Sequence, residues 1–328
     1  VDNDKDKTLS AMLRMAVIAQ TQERYEKTPV ETDEQRAEKA ALEGLVKQLF
    51  VELKRDFKPS DLPPYTLVKL GMHLAGTSQP EESIAYFDEI LDPSEPDPVR
   101  KKARINGMSK YRKNAVFGKA VALGRSKDNA KVDTAIKMMR DELSKEESSS
   151  NPDRKAMEDA QYNLVKFTFA RQDWPAVIAA ADKYRENKTY KKNLPEVLYL
   201  QGEAYLKQNE LDKALINFMN ITGTYKGLVK WSAPAVLAQM DTLWKRNTMS
   251  QGAGKQPSDR YVAWKAGSQY VQLLDTPANR KKMTAEDSAL VNEVKDKTAK
   301  FGSDPAVSQE RADIAAYEAA VRAAKGQK

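Results

Sequence analysis

Apolar residues along this chain recur at intervals of three and four. Leu9, Met12, Leu13, Ala16 and Val17 form one such stripe, and Ala37, Ala41, Leu45, Gln48, Leu49 and Leu53 form the next. This is the period of an amphipathic helix with one buried face. Strict apolar–polar alternation over six or more residues, the mark of a half-buried strand, is hard to find. The pattern predicts about fourteen helices and no sheet.

Helix starts are marked by recognisable chemistry. Thr32 with Gln35, Ser78 with Glu81, and Asn193 with Glu196 each have capping-box spacing. Asp97-Pro98, Asn151-Pro152 and Asp304-Pro305 each set a cap residue before a proline at the first helical position. Short turns between the helices predict stacked antiparallel hairpins. Two connections are longer, 144–151 (serine-rich and acidic) and 248–258 (Gly252, Gly254 and Pro257). The second is expected to divide a repeat array from a terminal cap. The expected organisation is an N-terminal helical pair at 1–60, an array over 61–247 and a C-terminal helical cap over 257–328.

A repeat is visible inside the array. The clearest unit contains Leu198, Gly202, Tyr205, Leu211, Ala214 and Phe218. A second contains Leu67, Leu70, Gly71, Leu74, Phe87 and Pro93, and both units place Gly sixteen residues before Phe. A third, weaker copy has Trp174 where Leu211 stands and Val177 where Ala214 stands. Two helices that cross closely need small residues at the crossing, here Gly on the first and Ala on the second. Tyr and Phe are then expected to fill the space between one hairpin and the next.

These positions resemble the tetratricopeptide repeat. Residues 194–225 match it well and 67–93 fairly, while 128–142 and 158–185 are degenerate. Gln201, where a large apolar residue is usual, and Ser83, where Ala is usual, depart from the pattern. The resemblance implies an all-α, right-handed αα-hairpin solenoid with flanking helical caps. It also implies that the first helix of each pair lines a concave groove that holds a peptide. By position, the groove residues are Tyr162 and Lys166 in the weak copy, and Tyr199, Glu203 and Lys207 in the strong one. The stretch from Glu196 through Trp231 to Lys245, in which a repeat ends at Thr224-Tyr225 and Trp231-Ser-Ala-Pro234 is expected to open the next helix, is similar to tetratricopeptide proteins of bacterial envelopes, of the outer-membrane-assembly and Tol-coordinator type. A periplasmic or envelope setting is the expectation from this likeness, with the cytoplasm as the alternative.

Composition narrows the chemistry. The 328 residues are 41% apolar and 31% charged, with only 14 Gly and 15 Pro, too few turn residues for a many-stranded β fold. With no cysteine, the chain has no disulfide, thiol nucleophile or Cys-type zinc site. With one histidine, His73, the usual triads and His-rich metal sites can hardly be assembled. An enzyme would have to work with carboxylates, Lys and Tyr alone. No run of about 18 apolar residues exists to span a membrane. Val1 at the start is compatible with a removed signal peptide or lipid anchor, and equally with cloning.

Three motifs dissolve on inspection. Asp2, Asp4 and Asp6 open like a calcium loop, but Lys7 replaces its glycine and Leu13 its distal glutamate. Gly252, Gly254 and Lys255 suggest a phosphate loop, but Met249 and Gln256 stand where Gly and Ser/Thr are needed. Glu81/Glu82 and Asp88/Glu89 are expected to make surface pairs one turn apart, or to bias a helix start, rather than to form an acid–base dyad.

Charge is concentrated. Residues 100–131 hold eleven basic residues against Asp128 alone, while the whole chain is only +7. Arg100, Lys101, Lys102, Arg104, Lys110, Arg112 and Lys113 form the densest part, with Tyr111 and Phe117 interleaved. A polyanion could bind there, with steep salt dependence. The basic residues cover over half of a helical wheel, so no narrow recognition face is expected.

The function expected from the sequence is a non-catalytic scaffold that binds a protein or peptide in a repeat groove, with no cofactor and no metal. Two alternatives stay open: a structural subunit of an envelope assembly that uses its convex face or ends, and a polyanion or nucleic-acid binder that uses 100–131.

Overall fold

The computed structural model describes residues 2–326 except Glu31, Ser78, Gln79 and Ala253, with side chains described from residue 6 to residue 325. The expected cap at Ser78 and the side chains of Asp2 and Asp4 fall outside these residues. The described residues form sixteen α-helices, three short 3-10 turns and no strand. They divide into two compact units, Val1–Gln172 and Asp173–Lys328.

The first unit contains α1 (Asp2–Lys27), α2 (Asp33–Asp56), α3 (Pro64–Ala75), α4 (Ile84–Leu91), α5 (Pro98–Gly107), α6 (Arg112–Gly124), α7 (Asn129–Glu147) and α8 (Arg154–Ala170). Most neighbours in sequence are neighbours in space. Direction follows from paired residues. Arg171 meets Asp133 at 2.7 Å and the Asp153 N–H donates to Glu146 at 2.7 Å, so α7 and α8 run antiparallel. Lys113 meets Asp153, and Gly124 lies against Phe167, so α6 and α8 run parallel.

The second unit contains α9 (Trp174–Glu186), α10 (Leu194–Lys207), α11 (Leu211–Thr224), α12 (Val229–Arg246), α13 (Asp259–Leu274), α14 (Pro277–Arg280), α15 (Ala285–Gly302) and α16 (Pro305–Gly326). Ser232 bonds Tyr270 and Arg246 bonds Asp259, so α12 and α13 are antiparallel. Tyr199 lies near Trp231, and further along Glu203 feels Asp241, so α10 and α12 run the same way. Asp241 pairs with Lys297 and Trp244 stacks on Phe301, which sets α15 parallel to both.

The caps explain where helices begin. Thr32 accepts from the Gln35 N–H at 3.2 Å while the Gln35 side chain accepts from the Thr32 N–H at 3.1 Å. Asp97 caps α5 and Asp304 caps α16. Two expected starts are corrected. The helix expected at Asn151-Pro152 begins at Arg154, because the Asp153 carboxylate accepts from the Ala156 N–H and takes the cap itself. Asn193 makes no side-chain cap, because its backbone (φ −108°, ψ 10°) lies outside the extended region that aims a capping side chain. Likewise α12 starts at Val229, which leaves Pro234 inside the helix rather than opening it.

Burial overturns the first stripe and most of the second. Leu9 is 56% exposed and Leu13 61%, and Met12, Ala16 and Val17 are exposed with them. The opposite face of α1, Ala11, Met15 and Ile18, joins the core with Phe50 and Leu53. On α2, Ala37, Ala41, Leu45 and Gln48 are exposed, while Leu42, Val46, Phe50 and Leu53 are buried. Both helices are apolar on two faces. Periodicity reports that a face exists, and packing against a third helix decides which one is covered.

The repeat glycines do what close crossing requires, with one correction to the expected partner. A Cβ on Gly71 would lie 2.8 Å from the Phe87 ring, and one on Gly202 would lie 2.6 Å from the Phe218 ring. The Phe therefore fills the crossing within its own hairpin, not just the gap to the next.

Candidate functional site

Helix α10 has two unlike faces. Val197, Leu198, Gln201 and Gly202 are buried, while Tyr199, Glu203 and Lys207 follow one another at intervals of four on a different face. Tyr199 and Glu203 are half-buried and Lys207 is exposed. The Tyr199 ring lies 5.8 Å from Phe218 and 6.4 Å from Trp231, tilted to both. Its hydroxyl and the Glu203 carboxylate are close enough to affect each other's titration. Burial pushes the Tyr199 phenol up to about 12, helped by the negative charges of Glu203 and Glu293. Burial also raises the Glu203 carboxyl, and Asp241 adds to this, while Lys207 and the Tyr199 hydroxyl pull the other way.

The face continues onto α12 and α15. Asp241 accepts from Lys297 at 2.5 Å. Trp244 stacks on Phe301 at 3.9 Å, with the Arg260 guanidinium 4.9 Å from its ring centre. A cleft of about 770 Å³ opens here, lined among others by Asp241, Trp244, Glu293, Asp296, Lys297 and Lys300. Sequence reasoning found the α10 residues through the repeat. It missed Asp241, Trp244 and Glu293, because the repeat pattern weakens after residue 225.

The other two expected groove residues sit on α8, in the first unit. The Lys166 ammonium lies 5.2 Å from the Tyr162 ring centre, with Tyr162 half-buried and Lys166 exposed. They form a local pair within that unit.

The departure at Gln201 has a structural reason. Its side chain is fully buried and joins three helices. Gln201 donates to Asp182 at 2.7 Å, and its oxygen accepts from Arg185 at 2.8 Å and from Asn217 at 3.3 Å. A buried amide with its partners present fixes register, where a leucine would leave Asn217 unpaired. Arg185 also lines a second cleft, of about 810 Å³, with Lys188, Tyr190 and Lys191.

About half of the basic stretch is ion-paired within the fold. Lys101 pairs with Asp92, Arg104 with Glu89, Lys119 with Asp88 and Lys131 with Glu81. Lys113 holds both Glu146 and Asp153. Arg112 and Arg125 donate to the backbone carbonyls of Leu91 and Ala75. Lys110 lies over the Tyr111 ring. Among the described residues, Arg100, Lys102, Lys110, Arg112, Arg125 and Lys127 have no ion pair. The carboxylate pairs expected to bond one turn along their own helices instead reach across: Glu81 to Lys131, Asp88 to Lys119, Glu89 to Arg104, and Glu82 to Lys54. The reason is geometric, since Glu81, Asp88 and Glu89 face the α5–α7 segment and Glu82 faces α2.

His73 stacks on Phe50 at 4.0 Å with its ring nearly coplanar. Burial holds its pKa below the ordinary value, helped by Lys47. Among the described residues, no three His, Asp or Glu side chains are placed to hold a metal ion. Nor is any described helix long and apolar enough to cross a membrane. Compared with family models, curated proteins and solved structures, the chain matches none.

Proposed function

We propose that this protein is a non-catalytic scaffold of tetratricopeptide type, and that it binds a segment of another protein along the wall made by α10, α12 and α15. One observation carries this reading. Three parallel helices, alternating with antiparallel partners, offer a shared surface where aromatic rings, the half-buried Glu203, exposed carboxylates and ammonium groups stand side by side. Rings give contact area at low entropic cost, and charges give register. The bacterial envelope setting rests on the likeness of residues 196–245 alone.

A second reading has its own support. Ile216 and Met219 on α11 are 58% and 54% exposed, so the other layer also offers an apolar contact. A structural subunit would use that layer.

The test is a quantitative pull-down from native lysate with matched variants. Under the groove reading, Glu203→Ala with Asp241→Ala loses a stoichiometric partner that wild type retains, at unchanged helical content. Ile216→Ser with Met219→Ser keeps it. The reverse outcome moves the contact to α11. Recovery of nucleic acid by all three proteins sinks the scaffold reading.

A further inference from the structure

We propose that the outer face of α5 is a contact for an anionic bilayer surface, carried by Arg100 and Lys102 on either side of Val99 and Ala103. The face belongs to the first unit and is independent of the groove reading. Helix α5 has no buried residue. Its half-buried residues are Lys101, Arg104 and Ile105, which fall on one side of the helix at about 3.6 residues per turn. That side is turned to the fold. Lys101 pairs with Asp92 at 2.6 Å, and Arg104 meets Glu89 at 2.9 Å and the Ser60 carbonyl at 3.0 Å.

The opposite side carries Val99, Ala103 and Asn106, all exposed, with Val99 78% exposed. Arg100 and Lys102 flank this side, exposed and without an ion pair. The cations of α5 are thus sorted by face: the inner two are tied to the fold and the outer two are not. The carboxylates that precede the helix are bonded to backbone, Asp97 accepting from the Arg100 N–H at 2.8 Å and Glu95 from the Asp97 N–H at 3.2 Å.

An apolar centre with a cation at each edge is the pattern of a helix that lies in a membrane interface. Val99 and Ala103 enter the boundary between headgroups and acyl chains, and the long Arg100 and Lys102 side chains reach back to the lipid phosphates. A nucleic-acid backbone takes the two cations but gains nothing from Val99 between them. A flat anionic surface meets all four side chains at once and needs no shaped pocket. The face is small, so the contact is weak and reversible, a peripheral attachment rather than an anchor.

The experiment sediments the full chain with vesicles of phosphatidylcholine, alone or with about 30% phosphatidylglycerol. Anionic vesicles are expected to retain the chain and neutral ones to leave it in solution, and about 0.5 M salt is expected to release it. Arg100→Ser with Lys102→Ser breaks no ion pair of the fold, so it is expected to melt with wild type and to bind about twentyfold more weakly, at about fivefold per cation. Val99→Ser is expected to cost about fivefold on vesicles and nothing on soluble polyglutamate. Lys137→Ser with Lys155→Ser removes the same charge from exposed positions on α7 and α8 and is expected to bind as wild type does. If the Arg100 and Lys102 variant melts low, Val99→Ser carries the test alone. No retention by anionic vesicles overturns the proposal, as does equal loss in the two double variants, which would mean net charge alone. Vesicle binding indifferent to Val99→Ser, or tighter binding of an oligonucleotide or polyglutamate through Arg100 and Lys102, replaces the bilayer with a soluble polyanion and overturns it too.

Discussion

Phe87→Ala is expected to destabilise the first unit by about 3–5 kcal/mol, the range for truncating a buried aromatic. Phe87 is fully buried and fills two crossings at once. One side of its ring lies against Gly71 on α3, and a Cβ on Gly118 of α6 would lie 2.1 Å from it. Removing the ring therefore empties the space that holds α3, α4 and α6 together, and the helices cannot all close on the gap. The reciprocal change tests the same contact from the other side. Gly118→Ala should cost about 1–3 kcal/mol through overpacking. Combining it with Phe87→Leu should recover part of that loss, because the smaller side chain leaves room for the methyl group. All four tryptophans lie beyond residue 173. Urea unfolding followed by helical ellipticity is accordingly the measurement for these variants. An unchanged midpoint for Phe87→Ala would mean that the ring is not the keystone of this crossing.

Phe87 also marks the limit of what sequence can say. Its pairing with Gly71 has a fixed spacing, and the same spacing joins Gly202 to Phe218, so the repeat made both readable. Its pairing with Gly118 does not, because Gly118 belongs to a helix beyond an intervening segment of irregular length. Gly124 against Phe167 escaped for the same reason. Charge behaved alike. Eleven basic residues in 100–131 could be counted, but their partners lie up to fifty residues away, as with Lys131 and Glu81. Five of the eleven are tied to carboxylates of neighbouring segments. The stripe on α1 failed differently. Both faces of that helix are apolar, so local period could not choose between Leu9–Leu13–Val17 and Ala11–Met15–Ile18. At the candidate site, Tyr199 and Glu203 were legible as one face of α10. Asp241, which acts on Glu203, and Glu293, which acts on Tyr199, come from helices with no repeat signature.

Asp259→Ala is expected to be the second large loss, about 3 kcal/mol from the second unit. Asp259 is only 3% exposed and accepts from Arg246 through both oxygens, at 2.8 and 2.6 Å. It also accepts from the Thr248 N–H at 2.8 Å. This one carboxylate ties the end of α12, the 248–258 connection and the start of α13. Ser258 beside it bonds Glu310 of α16, and Gly254 at φ +80° sits under the Tyr317 ring, so the connection is held at several points. Removing one partner of a buried pair leaves the other uncompensated, which typically costs 3–5 kcal/mol. The lower end applies because Arg246 is partly exposed and keeps Asp212 at 2.6 Å. Burial pushes the Asp259 carboxyl up, but the Arg246 guanidinium and the Thr248 donors outweigh it and hold it below its usual 3.8. A depressed carboxyl stabilises the fold above its unfolded value and loses that contribution as pH falls through the folded one. The gap between wild type and Asp259→Ala, read from tryptophan fluorescence in urea, should be full at pH 7 and narrow below about pH 4. A gap that stays constant to low pH would mean that packing, not the ion pair, holds this junction. Asp259→Asn separates the two further: it keeps the shape and one acceptor oxygen, and should fall between wild type and alanine at neutral pH.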